Sequence, residues 1–315
     1  MGGDHVNVKG IATMKVGIIG IGTMGRPMAV NILKAGHTLS VFARNPEKAQ
    51  ALEAQGAKVV ASPAEAAAAS DAIILSLPFD PEVEEVLFGS RGIAEGAKKG
   101  LLILDTTTGS TKAAVQVAER LRPRGIAYLD APVSGGVKGA VEGTMTFLVG
   151  GEGPDVERAT PLMQCMGGHI HHLGPVGAGR GLKALVQIIA AMNTLTLCEA
   201  VVLGKRLGIE PTRFYEALSD TAANSYHLQS KLPNFIIPGT FDTGHRIEMM
   251  VKDLEIGLQL GRELNNAMPL SAFAAQLYRA ASTAGYAKKD ISAMSNFFGS
   301  FVGIDFAAPP DKKSG

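Results

Sequence analysis

Over the first half of the chain, short runs rich in β-branched residues alternate with stretches whose apolar positions recur every three or four residues. The runs read "KVGIIG", "LSVFA", "AKVVA", "AIILSLP", "LLILDTT", "AYLDAPV" and "TMTFLVGG". Between them lie "MGRPMAVNILKAG", "NPEKAQALEAQG", "SPAEAAAAS", "DPEVEEVLFG" and "STKAAVQVAERLRPRG". Strand-like runs giving way repeatedly to helix-like ones predict βαβ units and a mostly parallel, doubly wound α/β sheet. The runs are apolar on both faces, as expected where helices cover both sides.

The pattern changes after "GPVGAGRG", residues 174–181, and no strand-like run follows. The rest reads as helices broken at "LGIEP", "NSYH", "IIPGTFDTG", "NNAMP" and "AGYAKKD". This predicts an α/β domain over 14–175 and an all-α domain over 176–302, joined by a long interdomain helix that begins near Gly181. Residues 1–13 read as a disordered extension or tag remnant without a signal-peptide core, and 303–315 as a disordered tail. The apolar segment from Leu182 to Leu207 is interrupted by Lys183, Gln187, Asn193, Glu199 and Lys205, so it reads as a buried helix and not as a membrane span.

Composition narrows the classes. A chain of 315 residues with 46% hydrophobic and 19% charged content buries a large core, and two domains are expected. A net charge of +1 provides no field for nucleic acid or an anionic membrane, so neither is expected as a partner. Cys165 and Cys198 show no metal-ligand spacing and read as small core residues of a cytoplasmic protein. "GGHIHHLG" holds His169, His171 and His172, but its alternation suits a strand or loop, no carboxylate is spaced nearby, and no metal site is expected.

Gly20, Gly22 and Gly25 form GxGxxG between a strand and a helix, the context that a dinucleotide-binding turn requires. The first glycine permits the tight turn, the second admits the pyrophosphate, and the third lets helix pack on strand. Thr23 and Met24 lie within the turn, where free N–H groups of the helix start meet phosphate, and join the glycines as expected cofactor contacts. At the end of the second strand, "SVFARNPEK" has Ala43 where an acid would hold a ribose 2′-OH, followed by Arg44 and Asn45. Arg44 pairs naturally with a 2′-phosphate, so NADP(H) is expected in preference to NAD(H).

With these residues assembled, residues 14–300 resemble the β-hydroxyacid dehydrogenase family, which includes 3-hydroxyisobutyrate dehydrogenase, tartronate semialdehyde reductase and succinic semialdehyde reductase-like enzymes. Four segments carry the resemblance: "GIIGIGTMGRPMAVNILKAGH", "DTTTGS", "DAPVSGGVKGAVEGTMTFLVGG", and "GAGRGLKALVQ" with the later "KDL". The resemblance implies a Rossmann-like domain followed by an all-α domain, and NAD(P)-linked interconversion of a 3-hydroxy acid and its aldehyde or ketone. It makes Lys183 the catalytic group, giving a proton to the carbonyl oxygen in reduction and removing it in the reverse direction; an ammonium stabilises alkoxide charge, and burial lowers a lysine's pKa toward working pH. Gln187, one turn later, would hold a substrate oxygen or orient the lysine, though the family more often has asparagine there. Ser134, Gly135 and Gly136 would take the substrate carboxylate through a hydroxyl and backbone N–H groups.

Thr108 follows a strand at its C-terminal end, where ligands sit in open α/β sheets, and is expected to meet nicotinamide ribose or substrate. Leu77 and Pro78 end a neighbouring strand and are expected alongside the cofactor. Lys252, with Asp253 beside it, matches a family lysine that reaches the cofactor. Homodimers or homotetramers are expected. The alternatives are an imine reductase-like enzyme, which generally lacks the lysine, and a non-catalytic NADP-binding interaction module.

Overall fold

In the computed structural model the described residues are 13–307. Residues 1–12 of the extension expected over 1–13, and residues 308–315 of the expected tail, lie outside them. The strands β1 (Lys15–Ile19), β2 (Thr38–Phe42), β3 (Lys58–Val59), β4 (Ala72–Leu75), β5 (Leu102–Asp105) and β6 (Ala127–Asp130) form one parallel sheet in the order β3-β2-β1-β4-β5-β6. The order reverses between β1 and β4, and a ligand crevice opens at such a switch point.

The intervening helices are α1 (Gly25–Lys34), α2 (Glu47–Glu53), α3 (Pro63–Ala68), α4 (Asp80–Phe88), α5 (Ile93–Gly96) and α6 (Thr111–Leu121). Both sheet faces are buried. Ile18, Ile74, Leu102 and Leu104 pack with Met28 and Ile32, whereas Ile73, Leu75 and Ile103 pack with Val83, Leu87 and Leu121. Local signals set several helix starts: Ser62 accepts the Glu65 N–H at 3.2 Å ahead of α3, and Ser110 accepts the Ala113 N–H at 3.3 Å ahead of α6.

The run "AYLDAPV" differs from the single strand expected of it. The chain leaves the main sheet after Asp130, whose backbone pairs with Gly150, and Pro132 has no N–H with which to continue a ladder. A second sheet follows: β7 (Val133–Ser134) leads through α7 (Gly136–Glu142) to its antiparallel partner β8 (Met145–Val149), and α8 (Gly153–Gln164) leads to β9 (Gly167–His172), parallel to β8. The "HIHH" segment is therefore a strand, with His169, His171 and His172 exposed.

The helix α9 (Ala178–Arg206) is 29 residues long. Compact packing divides the chain within it, one unit ending at Lys183 and the other starting at Ala184. By length and hydropathy α9 could cross a membrane, but its Ala191, Leu195, Cys198 and Val201 belong to the core of the second unit. That unit also holds α10 (Pro211–Ser219), α11 (Tyr226–Lys231), α12 (Ile247–Glu263), α13 (Pro269–Ala281) and α14 (Met294–Ser300), and no strand among the described residues. A Cβ at Gly257 of α12 would fall 2.8 Å from Ile188 of α9, so absence of a side chain lets these helices meet closely.

The tail expected over 303–315 needs correction at its start. Phe306 is buried in the helical core, its N–H donates to Asn296 Oδ1 at 2.8 Å, and Lys205 Nζ lies 4.7 Å from its ring centre. An aromatic ring among charged and small residues is worth more buried than solvated, and it holds 303–307 down.

Candidate active site

The three glycines of the β1–α1 turn meet different constraints. Gly20 has φ +96°, and a Cβ there would fall 2.2 Å from the Ser76 carbonyl at the end of β4. A Cβ on Gly25 would fall 1.9 Å from the Gly20 carbonyl. Gly22 is exposed, and a Cβ on it would meet nothing within 4 Å. Packing thus explains the first and third glycines, while the second leaves a bare backbone facing open space, as close approach of a pyrophosphate needs. The helix start beside it has no side-chain cap and no acid in its first turn, and Thr23 and Met24 stand at its mouth. A dinucleotide fits these residues.

Beyond β2, Arg44 and Asn45 are exposed, and Arg44 forms no ion pair among the described residues. Asn45 Oδ1 accepts the Glu47 N–H at 3.0 Å and fixes the turn. At the end of β4 the half-buried Leu77 donates its N–H to Thr107 Oγ1 at 3.3 Å, with Pro78 exposed next to it. Thr107 is anchored in turn by Asp105 Oδ1, leaving Thr108 half-buried at the edge of the β5 end. Ser134 is half-buried, and Gly135 and Gly136 are exposed with φ +120° and +62°, so glycine is required by the backbone itself.

A buried ionic cluster that the sequence reading missed fixes the start of α9 in this unit. Asp130, at the end of β6, accepts the Gly177 N–H and the Arg180 N–H, each at 2.7 Å. Arg180, 1% exposed, reaches Asp80 at 2.8 Å, the Ser110 carbonyl at 2.9 Å and Asp105 at 2.7 Å. The Tyr128 hydroxyl donates to the same Asp105 oxygen at 2.6 Å. Burial pushes Asp130 up to about 6, against the pull of the two N–H donors and the guanidinium charge. A Cβ at Gly179 would fall 2.3 Å from the Leu148 carbonyl, so this first turn lies directly on strand backbone. Lys183, one turn further on, is only 8% exposed.

In the helical unit, a second cluster gathers Gln187 of α9 with Lys252 and Asp253 of α12 and with His245. Gln187 Nε2 donates to Asp253 Oδ2, and His245 Nε2 lies 3.3 Å from that same oxygen. Lys252 Nζ stands 3.6 Å from Asp253 Oδ1. Burial works to raise the Asp253 carboxyl, but His245, Lys252 and Gln187 together hold it below its usual range. The resemblance pointed to Gln187, Lys252 and Asp253. His245 carried no signal of its own, because it lies 58 residues from Gln187 and outside any motif.

Cys165 is half-buried and Cys198 buried, both as free thiols. Among the described residues no group of three or more His, Cys, Asp or Glu side chains is placed to hold a metal ion.

The family described as the NAD binding domain of 6-phosphogluconate dehydrogenase matches residues 15–174, and the NAD-binding domain of NADP-dependent 3-hydroxyisobutyrate dehydrogenase matches residues 177–298. The 2-(hydroxymethyl)glutarate dehydrogenase of Eubacterium barkeri is 35% identical over 93% of this chain and 97% of its own. The 2-hydroxy-3-oxopropionate reductase of Escherichia coli is 37% identical over 89% of this chain and 96% of its own. Among solved structures, Mycobacterium tuberculosis 3-hydroxyisobutyrate dehydrogenase with L-serine superposes with a TM-score of 0.82 at 30% identity, covering 91% of this chain and 99% of that one.

Proposed function

We infer, from the fact that this chain belongs to the β-hydroxyacid dehydrogenase family, that it is an NADP(H)-preferring enzyme interconverting a small 3-hydroxy acid and its semialdehyde. Chains of this family are nicotinamide-linked oxidoreductases acting on CH–OH groups, and this chain is one of them. The compounds named for its relatives share a common core, a carboxylate with a hydroxymethyl or aldehyde carbon one atom away. They differ in the group on the carbon between: methyl in 3-hydroxyisobutyrate, hydroxyl in 2-hydroxy-3-oxopropionate, carboxyethyl in 2-(hydroxymethyl)glutarate and ammonium in L-serine.

The observation that carries the reading is the burial of Lys183 in a turn of α9 anchored by Asp130 and Arg180. An ammonium out of bulk water acts strongly on charge developing on a nearby oxygen. In reduction Lys183 Nζ gives its proton to the carbonyl oxygen, and in oxidation it takes the hydroxyl proton back. The Ser134 hydroxyl and the N–H groups of Gly135 and Gly136 take the substrate carboxylate, and Gln187 and Thr108 orient the reacting end. When bound, the dinucleotide supplies the hydride chemistry. Its phosphates belong to the Gly20–Gly25 turn, its 2′-phosphate to the exposed Arg44 and Asn45, and its nicotinamide half to Leu77, Pro78 and Lys252. The exposed Leu185, Ile189 and Leu203 of α9 support burial against a second copy, hence a homodimer or homotetramer. Two free thiols support a cytoplasmic setting.

The test is NADPH and NADH oxidation against a panel of small semialdehydes, beside Lys183→Ala. The wild type is expected to turn over at least one of them, with kcat/KM at least about tenfold higher for NADPH, the worth of one charge-assisted phosphate contact. Lys183→Ala is expected to lose about 10²–10⁴-fold in kcat while still binding NADPH. A variant as active as wild type would remove Lys183 from the chemistry, and cofactor binding without turnover of any semialdehyde would favour a binding module.

A further inference from the structure

The ring of His245 is held in place from several sides. Its backbone N–H donates to Asp290 Oδ2 at 2.9 Å, and its carbonyl accepts the Ile291 N–H at 2.8 Å. Gly244 just before it has φ +98°, and a Cβ there would fall 2.3 Å from Asp290 Oδ2. Asp290 is itself pinned by Lys231 at 2.7 Å and by Ser292. The ring position therefore comes from a clamped backbone, the preorganisation that a recognition group needs.

One edge of the ring is committed and the other is open. Asp253 is a carboxylate and only accepts, so the Gln187 amide turns its NH₂ toward it and the His245 proton sits on Nε2. That leaves Gln187 Oε1 and His245 Nδ1, neither of which has a hydrogen-bond partner among the described residues. The His245 side chain is 36% exposed, whereas that of Asp253 is 4% exposed, so the ring forms the accessible lip of a buried network.

We propose that His245, oriented by Asp253, is a specificity-determining residue that reads, together with Gln187, the group carried on the carbon next to the substrate carboxylate, and that it selects a group bearing oxygen over an alkyl group. The inference rests on the function proposed above, in which Gln187 faces substrate. Gln187 follows Lys183 by one turn of α9 and shares the Asp253 carboxylate with His245, so these two are given the group on the carbon next to the reacting one. A neutral ring accepts from a hydroxyl through Nδ1, and a protonated one donates to a carboxylate. A methyl group would desolvate both open atoms and satisfy neither.

The experiment measures kcat/KM with NADP⁺ for glycerate, 2-(hydroxymethyl)glutarate and 3-hydroxyisobutyrate, in wild type, His245→Phe and His245→Gln. Wild type is expected to favour one of the two oxygen-bearing compounds over 3-hydroxyisobutyrate by about tenfold or more, below the largest known discriminations because the ring is partly solvated. His245→Phe is expected to cut that ratio by about tenfold through loss of the oxygen-bearing substrate, and His245→Gln, which keeps a hydrogen-bonding group, to hold it within about threefold. NADP(H) binding checks that each variant is folded, with His245→Leu replacing the phenylalanine variant if that one fails to bind. An unchanged ratio in the apolar variant, or a wild type that prefers 3-hydroxyisobutyrate, overturns the role of His245 and leaves the dehydrogenase reading standing. No turnover of any compound in either direction removes that reading, and this inference with it.

Discussion

The two buried ionic clusters use the same chemistry to opposite ends. In the nucleotide-binding unit both oxygens of Asp105 and both of Asp130 are taken, and Arg180 is 1% exposed, with its Nε lacking a hydrogen-bond partner among the described residues. In the helical unit Asp253 Oδ1 has no hydrogen-bond partner among the described residues, and one edge of His245 is open. A closed cluster can only hold backbone, and this one fixes the first turn of α9. An open cluster has an accessible edge, here the His245 ring, whose side chain is 36% exposed. The difference lies in how many partners the chain supplies to each carboxylate, a count that composition does not reveal.

The contrast breaks most readily at Arg180. Arg180→Met leaves Asp105 and Asp80 without their cation, and urea unfolding is expected to show a loss of about 3–5 kcal/mol, the usual cost of stranding a buried charge. A loss under about 1 kcal/mol would mean that the cluster is no anchor.

The pH dependence sharpens the contrast, because the two units carry opposite signs. Burial raises Asp130 from 3.8 to about 6, so its share of stability is present below about pH 4 and is lost as the pH rises through 6. That share is on the order of 3 kcal/mol, and Asp130→Asn should abolish it in denaturation midpoints compared between pH 4.5 and 7. In the helical unit His227 of α11, outside the His245 cluster and 3.0 Å from the Thr194 hydroxyl, is lowered from 6.5 to about 4 by burial and by Lys231. Its share is present above pH 6.5 and is lost as the pH falls through 4, and the lowered Asp253 adds to loss on acidification. His227→Gln is expected to flatten that acid limb alone.

The smallest effect provides the scale. Arg213 and Glu216 pair at 3.1 Å with side chains 81% and 56% exposed, and Arg213→Ala is expected to change the unfolding midpoint by less than the equivalent of about 0.5 kcal/mol.

The glycine-rich turn and the helix carrying Lys183 were legible in the sequence because their physics is local. Glycines at set spacing between a strand and a helix act through neighbouring backbone, and amphipathic periodicity is a property of one segment. The polar partners were not legible. Arg180 meets Asp105 across 75 residues and Gln187 meets Asp253 across 66, and nothing in "LLILDTT" or "VKDLEIG" states which distant group will face it. The second sheet was hidden for a related reason: "AYLDAPV" is apolar throughout, and only the pairing of Asp130 with Gly150 shows where the chain changes sheets.

Gly179 also sets how this chain can be re-engineered. Replacing a helical glycine by alanine is a general way to stiffen a chain. At 179 the added methyl would run into the Leu148 and Asp130 carbonyls at 2.3 and 2.6 Å, and that route is closed. At Gly181 the nearest atom is Thr111 Cγ2 at 3.6 Å, ordinary van der Waals contact, and the route is open. Two glycines on either side of Arg180 thus divide a single helical turn into a side welded to its neighbours and a side with latitude to change.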